Sequence, residues 1–158
     1  MTKSLTITAS SMDPGLLGLP WATPLADWPS SAIVFLPKGL SRHLVRFANL
    51  SGRVVAVKET TAQMARKEYE MLGALGRLDV PCVERVAVIA GRKDAEGNPL
   101  PAALVTAHLK FSLPYRALFT RTLRPDTAGR LVDALAVLLV RLHTVGFFWG
   151  DVSLSNTL

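Results

Sequence analysis

Leu142-His143-Thr144-Val145-Gly146-Phe147-Phe148-Trp149-Gly150-Asp151-Val152-Ser153-Leu154-Ser155-Asn156 is the stretch around which the rest of the chain is organised. An apolar helical pattern runs down to Leu142 and His143 and stops at Gly146, a residue suited to ending a helix. A short hydrophobic segment then delivers Asp151, and Asn156 follows five residues later. Asp-x-x-x-x-Asn is a common pattern on its own. It gains weight here from the Leu-His helix end just ahead of it, and from a lysine and a glutamate far upstream.

The chain has 158 residues, enough for one ordinary domain with a real core. An apolar content of 49% and a mean hydropathy of +0.30 argue against disorder. No apolar run approaches the ~20 residues of a membrane-spanning helix. The longest, residues 134–140, is bounded by Asp133 and Arg141. Polar residues occupy the place of a signal peptide's apolar region, so the expected setting is cytoplasmic. Cys82 is the only cysteine, which excludes an internal disulfide; its apolar neighbours Val80, Pro81 and Val83 point to a buried, inert thiol. The net charge of +6 raises a nucleic-acid partner. The cations are scattered, however, as at Arg53, Arg66, Arg92, Arg116, Arg121 and Arg124, and no aromatic residues interleave with a basic block. Solvated surface is therefore favoured over a nucleic-acid interface.

Residues 1–30 read as an irregular arm, rich in Ser, Thr, Pro and Gly. It carries Trp21 and Trp28, which are costly to leave in water, so the arm is expected to pack on the domain. Strand signals follow at residues 32–36, 43–48 and 54–58, the last a β-branched run ending in Lys58. A helix is expected from Thr61 to Leu78, with Ala65, Tyr69, Leu72 and Leu75 at helical spacing. Glu68 shares their face, whereas Glu70 has Arg66, Lys67, Gly73 and Ala74 as its helical neighbours and points outward. Glu68 is thus the glutamate able to meet a lysine on the sheet. Strands return at residues 83–90 and 102–107 around a hairpin loop at 94–98. A short helix at 114–123 precedes a long one, from about Asp126 to Thr144, with Asp126 at or just before its N-cap. That long helix is apolar nearly all round and is expected to be buried in a larger helical body.

Together these readings give an α+β fold, a five-stranded antiparallel sheet with one packed helix, followed by the first helices of a helical lobe. In order along the chain, Val55-Ala56-Val57-Lys58, Glu68, Asp151 and Asn156 match the catalytic constellation of kinase-like phosphotransferases. Segments 19–25, 67–72, 111–119 and 146–158 resemble an actinobacterial protein-kinase-like family that carries a domain of unknown function and is often labelled lipopolysaccharide kinase (Kdo/WaaP)-like. The resemblance implies a protein-kinase-like fold, with an arm at 1–30, an N-lobe at 31–109, and a C-lobe beginning at 110–158 and ending in the catalytic loop. The chain then corresponds to the N-terminal part of a longer protein.

It also implies ATP and Mg²⁺ as cofactors, with transfer of a phosphoryl group to an unidentified acceptor. Lys58 would hold the α and β phosphates, Glu68 would position Lys58, Asp151 would act as base and Asn156 would bind Mg²⁺. The backbone around Leu109 would receive adenine, and Gly39 would approach the phosphates. This chain departs from the pattern at several points. The loop at 37–42 has the single Gly39, and Trp149 and Gly150 replace a histidine and an arginine before Asp151. His143 then closes its helix and is not a base. A nucleotide-binding, pseudokinase-type module without catalysis is the alternative.

Overall fold

The structure is a computed structural model that describes residues 4–36 and 44–157. Five strands form one antiparallel sheet: β1 (Thr6–Ala9), β2 (Val45–Leu50), β3 (Arg53–Thr60), β4 (Arg85–Ala90) and β5 (Ala102–Ala107), in the spatial order β1-β4-β5-β3-β2. Three α-helices accompany them among the described residues: α1 (Ala62–Arg77), α2 (Tyr115–Phe119) and α3 (Pro125–Thr144). The α+β class and the strand count are as the sequence indicates.

The membership of the sheet is not. Residues 32–36 were expected to form the first strand. Instead Ser30–Ala32, directly after Pro29, coil into a 3₁₀ turn, and only Val34 makes a bridge to Phe47. The fifth strand comes from the arm, where Thr6, Ile7 and Thr8 pair along β4. Two β-branched threonines around an isoleucine favour extended backbone, and Ile7 packs against the core.

The sheet is covered on both faces. One carries α1, whose Ala65 and Tyr69 pack on Val88, Ala90, Ala102 and Leu104. Thr61 caps this helix by accepting a hydrogen bond from the Met64 amide at 3.2 Å. The other face carries the arm. Leu16, Trp21, Leu25 and Trp28 are buried against residues that include Val55, Val57, Ile89 and Val105. The two indoles meet edge to face at 5.3 Å. Their N–H groups donate to Leu16 O and Thr23 O, so neither ring is buried with an unsatisfied donor. The arm therefore serves as the second layer that a sheet of this size needs.

Two helix expectations are also corrected. Asp126 lies inside the first turn of α3, because Pro125 starts the helix and Arg124 holds the cap position. And α3 is not buried: Leu142 is its one fully buried residue, and Val132, Val137 and Val140 are 58–60% exposed. Its apolar stripe Leu138, Leu139 and Leu142 packs with Leu75, Val80 and Trp149, and the Tyr115 hydroxyl donates to Leu131 O nearer its start. The α3 C-terminus behaves as the sequence indicates. Gly146 takes a φ of 78°, and Phe147 donates its amide back to Leu142 O at 2.9 Å. No helix among the described residues is long and apolar enough to cross a membrane.

Candidate functional site

Successive residues of a strand face opposite sides of the sheet, so β3 sends Ala56 and Lys58 toward the α1 face and Val55, Val57 and Glu59 toward the arm. The register places Lys58 between Val45 on β2 and Leu104 on β5, and Ala56 between Phe47 and Thr106. Lys58 lies inside the strand and not at its end, as β3 continues through Glu59 and Thr60.

The lysine does not point into solvent. Its ammonium donates to Glu68 Oε2 at 2.5 Å, with the two side chains 25% and 32% exposed. The partner is the glutamate that the helical period selects; Glu70 is exposed. A part-exposed ion pair contributes at most about 1 kcal/mol to stability. Its consequence is geometric, because it holds the ammonium over the sheet.

Helix α1 lies over β4 and β5, which leaves the β2–β3 half of this face less covered. Val45, Phe47, Ala56 and Thr106 form a half-buried pad there beside Lys58. The His108 ring meets Phe47 edge to face at 5.1 Å, and its amide donates to Val54 O at 3.0 Å. Leu109 follows, 38% exposed, with its carbonyl accepting the Ser112 hydroxyl at 2.8 Å. Gly39 lies outside the described residues.

Sequence reasoning missed the other side of β3. Arg92, read as surface charge, is the largest fully buried side chain. Its guanidinium pairs with Glu59 at 2.8 Å and donates to Trp21 O, Thr23 O and Pro101 O. Glu59 Oε1 also accepts the Leu25 amide at 3.0 Å. Thus β3 is clamped at consecutive residues, Lys58 to α1 on one face and Glu59 to the arm and Arg92 on the other. One signal was available: Glu59 shares its strand face with Val55 and Val57, and an acid on a buried face needs a partner.

Asp151 and Asn156 form a second pair. The Asn156 amide nitrogen donates to Asp151 O at 2.9 Å and to its carboxylate at 3.2 Å. The loop is fastened to α2, whose first amides would otherwise lack partners: Tyr115 donates to Thr157 O and Arg116 to Leu154 O, at 3.0 and 2.8 Å. Thr157 is buried and its hydroxyl donates to Ser153 O. Both Asp151 and Asn156 are exposed. His143 stacks on Phe148, consistent with a residue that closes its helix. No hydrogen bond or ion pair joins Lys58 and Glu68 to Asp151 and Asn156 among the described residues.

A divalent cation can be tested against this donor set. With its nitrogen engaged by Asp151, Asn156 keeps its amide oxygen available beside one carboxylate. Among the described residues no group of three or more His, Cys, Asp or Glu forms a cage. Two hard oxygen donors suit Mg²⁺, which takes its remaining ligands from phosphates and water. Cys82 is half-buried, not buried; removal from water raises its thiol pKa, so it stays protonated and unreactive near neutrality.

Neither family models, curated proteins nor solved structures gave a match to this chain. The class it can be assigned to is therefore the architectural one: an α+β chain with a five-stranded antiparallel sheet and three helices.

Proposed function

We infer that the chain supplies the nucleotide-binding lobe and catalytic loop of a protein-kinase-like phosphotransferase that uses Mg-ATP on an acceptor hydroxyl. The observation that carries this reading is the Lys58–Glu68 pair, formed between the third strand and the helix after it, next to a half-buried apolar pad. Lys58 would meet the phosphates with its remaining N–H donors while Glu68 holds it in place. The pad of Val45, Phe47, Ala56 and Thr106 would take the flat face of the base, with the backbone at Leu109 along its edge. Asp151 would accept the proton of the attacking hydroxyl as the new P–O bond forms and ADP departs. Asn156 Oδ1 would hold Mg²⁺, which when bound would neutralise charge on the phosphates. A cytoplasmic setting, where ATP is held, belongs to the same reading.

A second reading, nucleotide binding without transfer, is favoured by the single Gly39 in the loop at 37–42. One experiment separates the two. ADP formation from ATP and Mg²⁺ is compared for the full-length protein to which this chain would belong and for its Lys58→Ala and Asp151→Ala variants. Turnover lost in both variants supports transfer. Turnover unchanged in both removes the residue assignment, and nucleotide binding with no turnover in the wild type supports the second reading.

A further inference from the structure

Residues 109–124 contain four cations, Lys110, Arg116, Arg121 and Arg124, and no carboxylate. All four are exposed. Between them the segment displays apolar side chains to solvent: Phe111 is fully exposed, Leu113 is 58% exposed, and Leu109 and Phe119 are just under 40%. Phe111 is also held at a φ of +60°, in a turn closed by the Ser112 hydroxyl on Leu109 O. A bulky residue in the left-handed region carries backbone strain, and its ring in water carries a hydration cost. Both costs fall on one side chain at the tip of a turn. Arg116 and Phe119 stand three residues apart on α2, so a cation and an aromatic share that helix face.

Cations that meet phosphates, set among apolar side chains that enter the acyl boundary, fit an anionic lipid surface. We propose that residues 109–124 dock the protein peripherally on an anionic membrane surface, with the Phe111 turn inserting among the headgroups and the four cations binding lipid phosphates. The occupant is chosen by charge and by polarity together. Nucleic acid would answer the charge and could stack on Phe111 or Phe119, but the aliphatic side chains of Leu109 and Leu113 offer a base neither a stacking face nor a hydrogen bond, whereas an acyl boundary takes all four. The inference does not depend on the phosphotransfer reading. The loop of Asp151 is hydrogen-bonded to α2, so the docked surface adjoins the candidate site.

The test is sedimentation of the full chain with vesicles of phosphatidylcholine, with and without about 30% phosphatidylglycerol. The proposal expects binding only to the anionic vesicles. Each cation removed, as in Arg121→Gln or Arg124→Gln, should weaken it about fivefold. Phe111→Ser should weaken it about tenfold or more, since a buried Phe side chain is lost. Phe111 touches little of the fold, so Phe111→Ser should melt like the wild type. Phe111→Trp should keep binding and add a blue shift in tryptophan emission on contact with the vesicles. Equal binding by wild type and Phe111→Ser would mean adhesion by charge alone and overturn the proposal, as would absence of binding. If Phe111→Ser weakens retention of a single-stranded RNA oligomer but not of vesicles, the surface reads nucleic acid and the proposal falls.

Discussion

Glu59 and the fully buried Arg92 form an ion pair at 2.8 Å on the face of β3 opposite Lys58. Consecutive residues of one strand thereby fix it to two layers, and the arm at residues 21–25 shares the second attachment through Trp21 O, Thr23 O and the Leu25 amide. Removing one partner strands a charge in a dry site. Arg92→Met should destabilise the protein by about 3–5 kcal/mol, and Arg92→Met with Glu59→Leu should recover the part due to the stranded carboxylate but not the part due to the Trp21, Thr23 and Pro101 carbonyls that lose their donor. Urea unfolding of the single and double variants checks this; a double variant no more stable than the single one would refute it.

Gly73, in the interior of α1, should be coupled to Arg85 in the same sense. A Cβ there would fall within the Arg85 guanidinium, which lies across the helix over the Tyr69 ring at 4.4 Å and donates to Tyr69 O. Ala is favoured over Gly in a helix by about 1 kcal/mol. In an Arg85→Ala background, Gly73→Ala should therefore stabilise by about that amount. With Arg85 present the gain should vanish, because the guanidinium has to leave its seat. A thermodynamic cycle of the two substitutions measures the difference.

Acid should act through Asp13. The Ser51 hydroxyl, donating at 2.6 Å, and the Gly15 amide hold its carboxyl pKa below the usual carboxylate value. A folded-state pKa below the unfolded one adds stability that is present above the unfolded value and is lost as pH falls through the folded value. Asp13→Asn lacks this contribution. Midpoints of urea unfolding for wild type and Asp13→Asn should differ at neutral pH and converge as pH drops below the ordinary Asp range.

Much of this arrangement is legible in the sequence, for physical reasons specific to each residue. The 3.6-residue period assigns Glu68 inward and Glu70 outward, and the structure places them so. Lys58 is readable because the β-branched run before it can only be a strand. Arg92 is not, because the layer that buries it comes from residues about 70 positions earlier, and no local pattern reports a partner that distant. The exchange of residues 32–36 for Thr6–Ala9 has a similar cause. The two segments lie at opposite edges of the sheet, Thr6–Ala9 along β4 and Val34 bridged to β2, and a window of five residues cannot reveal which of them extends a ladder. The exposure of α3 was unreadable too, since its composition reports what it could bury and not what stands beside it. In the candidate site, Lys58 meets Glu68 as the helical period indicates, the hydrogen bonds between Asn156 and Asp151 are a feature that their spacing did not announce, and Gly39 lies outside the described residues.

The central claim is that Lys58, held by Glu68, is a phosphate ligand, and the most direct test is the affinity for Mg-ATP measured by calorimetry for wild type, Lys58→Met and Glu68→Gln. The part-exposed pair contributes little stability, so unfolding free energies should change by no more than about 1 kcal/mol. Affinity should fall about tenfold or more in Lys58→Met, with a smaller loss in Glu68→Gln, because a charge-assisted contact to phosphate is removed in the first and only misplaced in the second. Equal affinity for Mg-ATP in the wild type and in a folded Lys58→Met variant would contradict the account.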